Sequence, residues 1–285
     1  PAFYNFNIME GRRANEATAG TITIPATGKI GGAFKLSPGP SFAEERSKFF
    51  EEIYQRQKQQ LDAREKREIE ITLPDGKIMK GKCWETTALE IAKRISKKLA
   101  EVVVAAKVVY SKKDESEFGG KVTEVEDDDH HHVLDKGELY DLTRPLEGDC
   151  SLELLKFEDP LGKTVFWHSS AHILGASLEQ EFGGYLCAGP PLENGFFYDI
   201  YIGENRITPD QYERIEKRFK KISEENFQFQ KIYLSKQEAL ELFKHNPFKV
   251  QLLTHKIPDT AITTAYRCGP LIDLCTGPHL PITNK

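Results

Sequence analysis

Ile69-Glu70-Ile71-Thr72-Leu73-Pro74-Asp75-Gly76-Lys77 alternates apolar and polar side chains and then breaks into a turn. A period of two is the pattern of a half-buried strand. Pro-Asp-Gly supplies the turn, so residues 77–80 are expected to return as the partner of a hairpin. Thr87-Ala88-Leu89-Glu90 then fits a capping box. It should open a helix with Ala88, Ile91, Ala92 and Ile95 facing inward. Residues 102–110, 139–142 and 152–157 read as further strands. A hairpin, a helix and more strands within one short stretch predict a small α+β domain over 69–158. An acidic, glycine-containing segment, 111–135, interrupts it and ends Asp127-Asp128-Asp129-His130-His131-His132. Such composition predicts a solvated surface insertion with at most incidental metal affinity.

On the N-terminal side, residues 1–40 are rich in Gly, Ala, Thr and Pro and lack periodicity. They read as a flexible extension. Residues 41–68 are dense in Glu, Lys, Gln and Arg, with Phe49, Phe50, Ile53, Tyr54 and Leu61 interspersed. This predicts a long charged helix with a thin apolar stripe. Ser41-Phe42-Ala43-Glu44 is its expected capping box. Its role is either a packing arm or an RNA-facing arm.

On the C-terminal side, 159–285 reads as a second, larger α+β domain. A helix is expected over 166–182, with strands at 186–188 and 196–200. Thr208-Pro209-Asp210-Gln211 should cap a helix running to 225. A strand at 227–234, a capped helix at 235–243, a strand at 248–253 and closing strands through 266–274 complete the pattern.

The bulk numbers exclude several classes. The chain has 285 residues and a net charge of −5, so it is not a globally basic nucleic-acid binder. Any such contact must come from local patches. No apolar run is long enough to span a bilayer, and no secretory leader is expected. Five cysteines at irregular spacing do not make a disulfide framework. A reduced, intracellular protein is expected.

Two residue pairs carry the chemistry. His168 and His172, in Trp167-His168-Ser169-Ser170-Ala171-His172, share one face of the expected helix. Cys275 and His279, in Asp273-Leu274-Cys275-Thr276-Gly277-Pro278-His279, enclose a Gly-Pro that forbids helix and invites a loop. Taken alone, a histidine pair of this spacing is more often structural than functional. Together, a helix and a loop bearing these groups can converge on one polar pocket. Such a pocket suits a metal or acid/base chemistry.

Three longer stretches extend the argument: Phe166 to Gly175, Gly189-Pro190-Pro191-Leu192-Glu193-Asn194-Gly195-Phe196-Phe197-Tyr198-Asp199, and Tyr266 to His279. In this order they resemble the editing domain of threonyl-tRNA synthetases, which is shared more distantly with alanyl-tRNA synthetases. Trp84-Glu85-Thr86-Thr87 and Leu139-Tyr140-Asp141-Leu142-Thr143-Arg144-Pro145-Leu146 resemble a TGS domain, a ubiquitin-like β-grasp unit. The helix at 41–68 is similar to the N-terminal extension of the eukaryotic cytosolic enzymes. The insertion 111–135 departs from the family, which is usually shorter there. The family's class II catalytic core would follow Lys285, so aminoacylation is not expected of this chain.

The resemblance implies hydrolysis of serine mischarged onto the threonine tRNA. It makes His168, Lys249 and Asp273 the catalytic candidates, and His172, Tyr198, Asp199, Cys275 and His279 the substrate-binding ones. A water-based mechanism is expected rather than a covalent Cys275 intermediate. No cofactor is expected here. Zinc is the open alternative at His168, His172, Cys275 and His279, since such sets bind zinc in alanyl-type domains. ATP, magnesium and a core zinc would belong to the missing catalytic part. The implied partners are the acceptor end of the threonine tRNA carrying serine and the rest of the synthetase, a homodimer at full length in the cytoplasm. Two rivals stand beside this reading: a tRNA-binding or regulatory module without catalysis, and a free-standing alanyl-type editing metalloprotein.

Overall fold

The computed structural model describes residues 34–113, 122 and 136–285. Residues 1–33 and nearly all of the acidic segment beyond Lys113 therefore lie outside the described residues.

The first helix, α1 (Ala43–Asp62), does not start at the expected Ser41 capping box. Its N-cap is Phe42, which makes no side-chain cap hydrogen bond. The ring of Phe42 stacks instead on His245 at 3.8 Å.

Strands β1 (Glu68–Thr72) and β2 (Ile78–Lys82) form the expected hairpin, paired in antiparallel register from Glu68↔Lys82 to Thr72↔Ile78. Helix α2 (Ala88–Ile95) is capped by Thr87, whose side chain and that of Glu90 satisfy each other's backbone N–H. Ala88, Ile91 and Ala92 are buried as expected, but Ile95 is 41% exposed. It is the helix's last residue, where the chain turns at Ser96 into α3 (Lys97–Val102). Strands β3 (Val103–Lys113), β4 (Glu138–Tyr140) and β5 (Gly148–Lys156) complete a sheet of order β2-β1-β5-β3-β4. Strands β1 and β5 pair in parallel. Its core gathers Ile69, Ile71, Ile91, Val108, Tyr140 and Leu152.

Helix α4 (Pro160–Phe182) is the axis of the rest. It begins earlier than expected because Pro160 occupies the first turn, where its missing N–H costs nothing. Gly183 ends it at φ 64. The helix is buried almost all round, from His168 through Ile173 and from Gly175 to Glu179. Residues 34–40 dock on its end: Ser37 N–H donates to Phe182 O and Gly39 N–H to Gln180 O. Phe34 and Leu36 pack on the same core. The loose extension expected through residue 40 is thus tied down over its last residues, because they satisfy orphan carbonyls at the helix end.

Two short ribbons follow, β6 (Tyr185–Leu186) with β9 (Ile200–Tyr201), and β7 (Pro191–Leu192) with β8 (Gly195–Phe196). Helix α5 (Pro209–Glu224) carries the expected Thr208–Gln211 capping box. A three-stranded antiparallel sheet of β10 (Phe229–Ser235), β11 (Ile262–Cys268) and β12 (Leu271–Leu274) is interrupted by α6 (Lys236–Leu242) and α7 (Pro247–Lys256).

The strand expected at 248–253 is a helix, α7. Asn246 caps it by accepting from the N–H groups of Phe248 and Lys249, and Pro247 sits in the first turn. An Asn-Pro start outweighs the apolar run that suggested a strand.

Helix α1 packs on this second sheet. Phe50 and Ile53 bury fully in its core, each contributing about 1.5–3 kcal/mol. Gln57 pairs with the edge strand β10 as a strand would: Nε2 donates to Tyr233 O at 2.6 Å and Tyr233 N–H donates to Oε1 at 3.1 Å. Arg46 reaches Glu179 of α4 in a buried bidentate pair at 2.8 and 2.6 Å. Of the two roles expected for 41–68, packing is the one these contacts serve.

Candidate hydrolytic site

Helix α4 presents His168 and His172 one turn apart on its buried face, as the i,i+4 spacing requires. The loop leaving β12 brings Cys275 and His279 against them. One ligand atom from each of the four lies within 4.8 Å of every other. The His279 ring is 4.4 Å from His168 and 4.3 Å from His172, centroid to centroid.

The proton positions follow from Ser169. Its hydroxyl donates to Val165 O at 2.8 Å and accepts from Leu280 N–H at 2.9 Å. Its contact with His279 Nδ1 at 3.1 Å must therefore be accepted from an Nδ1–H. That tautomer leaves His279 Nε2 as an acceptor facing Cys275 Sγ at 3.3 Å. Sγ also lies 3.4 Å from His168 Nε2 and accepts from Gly277 N–H at 3.2 Å. His279 carries a pKa well below the usual imidazole range, because burial and then the neighbouring His172, His168 and Lys231 disfavour its cation.

Beside the cluster lies a buried ion pair. Lys249, on the first turn of α7, holds Asp273 of β12 at 2.7 Å, with both side chains nearly fully buried. Asp273 Oδ1 also accepts from Leu274 N–H, and Oδ2 accepts from the Tyr198 hydroxyl. Burial pushes the Asp273 pKa up, but Lys249, His172 and Tyr198 together bring it below the ordinary value. Lys249 donates as well to Cys187 O at 3.3 Å.

His172 joins the two halves. Its Nδ1 is 3.8 Å from Asp273 Oδ2, too long for a hydrogen bond. Burial lowers its pKa to about 4, with Lys249 lowering it further against the pull of Asp273, so the ring is neutral near pH 7. Among the described residues, His172 Nδ1 has no hydrogen-bond partner although it is buried.

Tyr198 reaches Asp273 because two glycines let it pass. A Cβ on Gly175 would lie 2.8 Å from its ring, and one on Gly189 only 2.2 Å. Asp199 does not join the others. Tyr198 is 7% exposed whereas Asp199 is an exposed residue, because neighbours on an extended segment face opposite ways. Its backbone zips to the other side of the ribbon, Cys187 N–H donating to Asp199 O and Asp199 N–H to Ala188 O. Its carboxyl is crowded enough for burial to raise its pKa.

Of the residues expected to act, His168, His172, Cys275 and His279 form one cluster, and Lys249, Asp273 and Tyr198 adjoin it. Ser169, Lys231, Tyr266 and Asp141 also shape it and were not expected to. Lys231 Nζ donates to Thr276 O at 3.0 Å. Ser169 and Tyr266 lie inside the quoted stretches, but no spacing rule separates a loop anchor from its neighbours there. Lys231 sits in a strand with no motif around it.

The donor set suits a tetrahedral zinc ion in kind. Its Cys275 contacts match the roughly 3.4 Å edge of such a tetrahedron, and the 4.8 Å outer separation requires side-chain adjustment.

The TGS domain family matches residues 69–156. Cytoplasmic threonine–tRNA ligase of Caenorhabditis elegans is 44% identical over 250 residues, covering 88% of this chain and 31% of the ligase. Threonine–tRNA ligase 1 of Rattus norvegicus is 41% identical over 266 residues, 91% of this chain and 34% of the ligase. Threonine–tRNA ligase 2 of Homo sapiens is 42% identical over 252 residues, 86% of this chain and 28% of the ligase. All three are named cytoplasmic. The chain spans about a third of the length of these curated relatives.

Proposed function

From the premise that this chain carries a TGS domain and is homologous to cytoplasmic threonyl-tRNA synthetases, we propose that it hydrolyses the ester of serine mischarged onto the threonine tRNA. It would be the N-terminal editing part of such a ligase, acting in the cytoplasm beside the rest of the enzyme, which at full length is a homodimer. Its substrate is the acceptor end of the threonine tRNA bearing serine.

The need for such a site is physical. Serine lacks one methyl of threonine, and a pocket built for the larger side chain rejects the smaller by only about 1–3 kcal/mol. A second, tighter site that admits serine alone supplies the missing selectivity.

The observation that carries the reading is the orphaned Nδ1 of buried His172 facing the Asp273 carboxylate at 3.8 Å. An α-ammonium placed there donates to both. Asp273 is ionised and keeps a lone-pair direction on Oδ2 for it, while Oδ1 is spent on Lys249 and Leu274. Lys249 supplies the positive charge that steadies the oxyanion in a buried, low-dielectric setting. His168 orients and deprotonates the attacking water. Cys275 and His279 wall the far side, and their mutual contact supports a shaping role rather than a covalent one. The ester bond breaks to give free serine and the tRNA ribose hydroxyl, which takes back the proton.

Zinc is a second reading, favoured by the close approach of four suitable donors. His168, His172, Cys275 and His279 would hold it, and it would supply structural cross-linking, since four protein ligands leave no open position for water.

The test is deacylation of seryl- against threonyl-charged threonine tRNA, with wild type and His168→Ala/His172→Ala. Seryl-selective hydrolysis lost in the double variant is expected. Wild type that binds tRNA yet hydrolyses neither ester would make the chain a binding module and overturn the proposal.

A further inference from the structure

Strand β4 ends at Tyr140, and the next residue, Asp141, leaves the TGS unit's sheet to enter the site of its neighbour. Asp141 is 7% exposed. Its two oxygens each take one donor from the hydrolytic unit. Oδ1 accepts the backbone N–H of His279 at 2.8 Å, and Oδ2 accepts the Tyr266 hydroxyl at 2.7 Å. The first bond fixes the residue whose ring closes the His/Cys cluster. The second fixes a phenol that fences the loop before it. Tyr266 Oη lies 3.5 Å from Thr276 O, and a Cβ on Gly277 would come within 2.1 Å of it. Burial and then Asp141 itself raise the Tyr266 pKa well above the usual range, so the hydroxyl keeps its proton and donates.

Thr264 of β11 holds Cys275 at the loop's start, its hydroxyl donating to Cys275 O and its carbonyl accepting from Cys275 N–H, and three further anchors follow. Ser169 holds it from α4, and Lys231 holds Thr276 O from β10. Asp141 holds it from a different structural unit. Only this last anchor is an anion, and its bonds are charge-assisted, hence the strongest type available to a neutral N–H and O–H.

We infer that Asp141 is a positioning residue of the hydrolytic site, contributed by the TGS unit, whose carboxylate sets where His279 stands. The inference rests on the deacylase reading for its consequence, though not for its geometry. It gives the TGS unit a part in the chemistry of the neighbouring site. The carboxylate links that unit directly to His279, beside the apolar packing of Val104, Ala105 and Leu155 on the core shared with α4.

The experiment pairs kinetics with hydrogen exchange on the 285-residue chain, using Asp141→Ala, Asp141→Asn and Lys285→Ala. Lys285 makes another contact to the 69–156 region, donating to Ala100 O and Glu101 O, neither of them in the loop. Asp141→Ala is expected to lower kcat for seryl-ester hydrolysis by about 10- to 100-fold, the loss of bonds to a charged acceptor. KM should stay within about twofold, because substrate contacts remain. Amide exchange over 275–280 should quicken by about tenfold or more as the anchor goes. Asp141→Asn keeps an acceptor for His279 and should show a smaller version of both changes, which carries the test if the alanine variant fails to fold. Lys285→Ala should alter neither. The inference is overturned if Asp141→Ala or Asp141→Asn exchanges and hydrolyses like wild type, or if Lys285→Ala matches them. Wild type that never hydrolyses the ester would remove the deacylase reading, while the exchange rates would still decide whether Asp141 holds the loop.

Discussion

Lys249 Nζ and Asp273 Oδ1 stand 2.7 Å apart in the interior, at 3% and 2% side-chain exposure, with the Tyr198 hydroxyl on the second carboxylate oxygen. Taking two charges out of water is costly, and their attraction offsets that cost only while both partners are present. Lys249→Ala should therefore lose about 3–5 kcal/mol of stability by stranding the Asp273 charge. Lys249→Ala/Asp273→Asn should recover part of that loss while remaining inactive. Denaturant unfolding of both variants, beside their deacylation rates, checks it. A double variant no more stable than the single would show that the pair is not the source of the cost.

Neutral His172 predicts an acid-side weakness. Its folded pKa, about 4, lies below the ordinary 6.5. Above pH 6.5 the folded and unfolded rings are both neutral and the contribution is complete. As pH falls from 6.5 toward 4, the unfolded chain takes a proton the folded one refuses, and stability drops. Full protonation would remove about 3 kcal/mol by this group. His245, lowered to about 3 by burial and nearby cations, acts in the same window and direction. Asp273, with a lowered pKa, loses its contribution only below the carboxylate range. Unfolding free energy at pH 5 should be lower than at pH 7, and His172→Gln should flatten that slope. An unchanged slope in the variant would put the sensitivity elsewhere.

How much of this was legible from sequence divides by range of interaction. The 69–73 alternation, the Thr87, Thr208 and Ser235 caps and the α4 histidines are local signals, and each is where the chain itself predicts. The strand expected at 248–253 failed because its apolar residues fit either period, and Asn246-Pro247 settled the matter locally. The site shows the same division. His168 and His172 share a helix face by arithmetic, but Lys249 was placed only through resemblance, and Asp199 stands apart from the cluster because alternation about Tyr198 turns it outward. Asp141 could not be found at all, since its partners lie more than a hundred residues away. No local pattern encodes such a pairing.

Gly189→Ala should damage the site more than Tyr198→Phe. The phenylalanine variant removes one hydrogen bond to Asp273 and keeps the ring in place. A methyl on Gly189 would sit 2.2 Å from the ring and must push it or the ribbon aside. Overpacking of this kind costs about 1–3 kcal/mol, and the displaced ring no longer reaches the carboxylate. Melting temperature and seryl-ester rate together test this. A Gly189→Ala protein with wild-type rate would mean that Tyr198 has slack the geometry denies.

Zinc added to the protein should inhibit, not activate. His279 is fixed as the Nδ1–H tautomer by Ser169, so its Nε2 lone pair is directed at Cys275 and available to a metal. Cys275 would bind as a thiolate, and His168 would spend the ring nitrogen that faces Cys275. A fully coordinated ion therefore consumes the base and leaves no open coordination position for water. Seryl-ester hydrolysis by protein treated with a chelator should match or exceed that of untreated protein. Stoichiometric zinc should suppress it, and renewed chelation should restore it. His168→Ala would remove a ligand together with the base, so the informative variant is His279→Asn, which should weaken zinc inhibition while retaining part of the rate. Hydrolysis that rises with zinc and falls on chelation would overturn the assignment of His168 as the group acting on water.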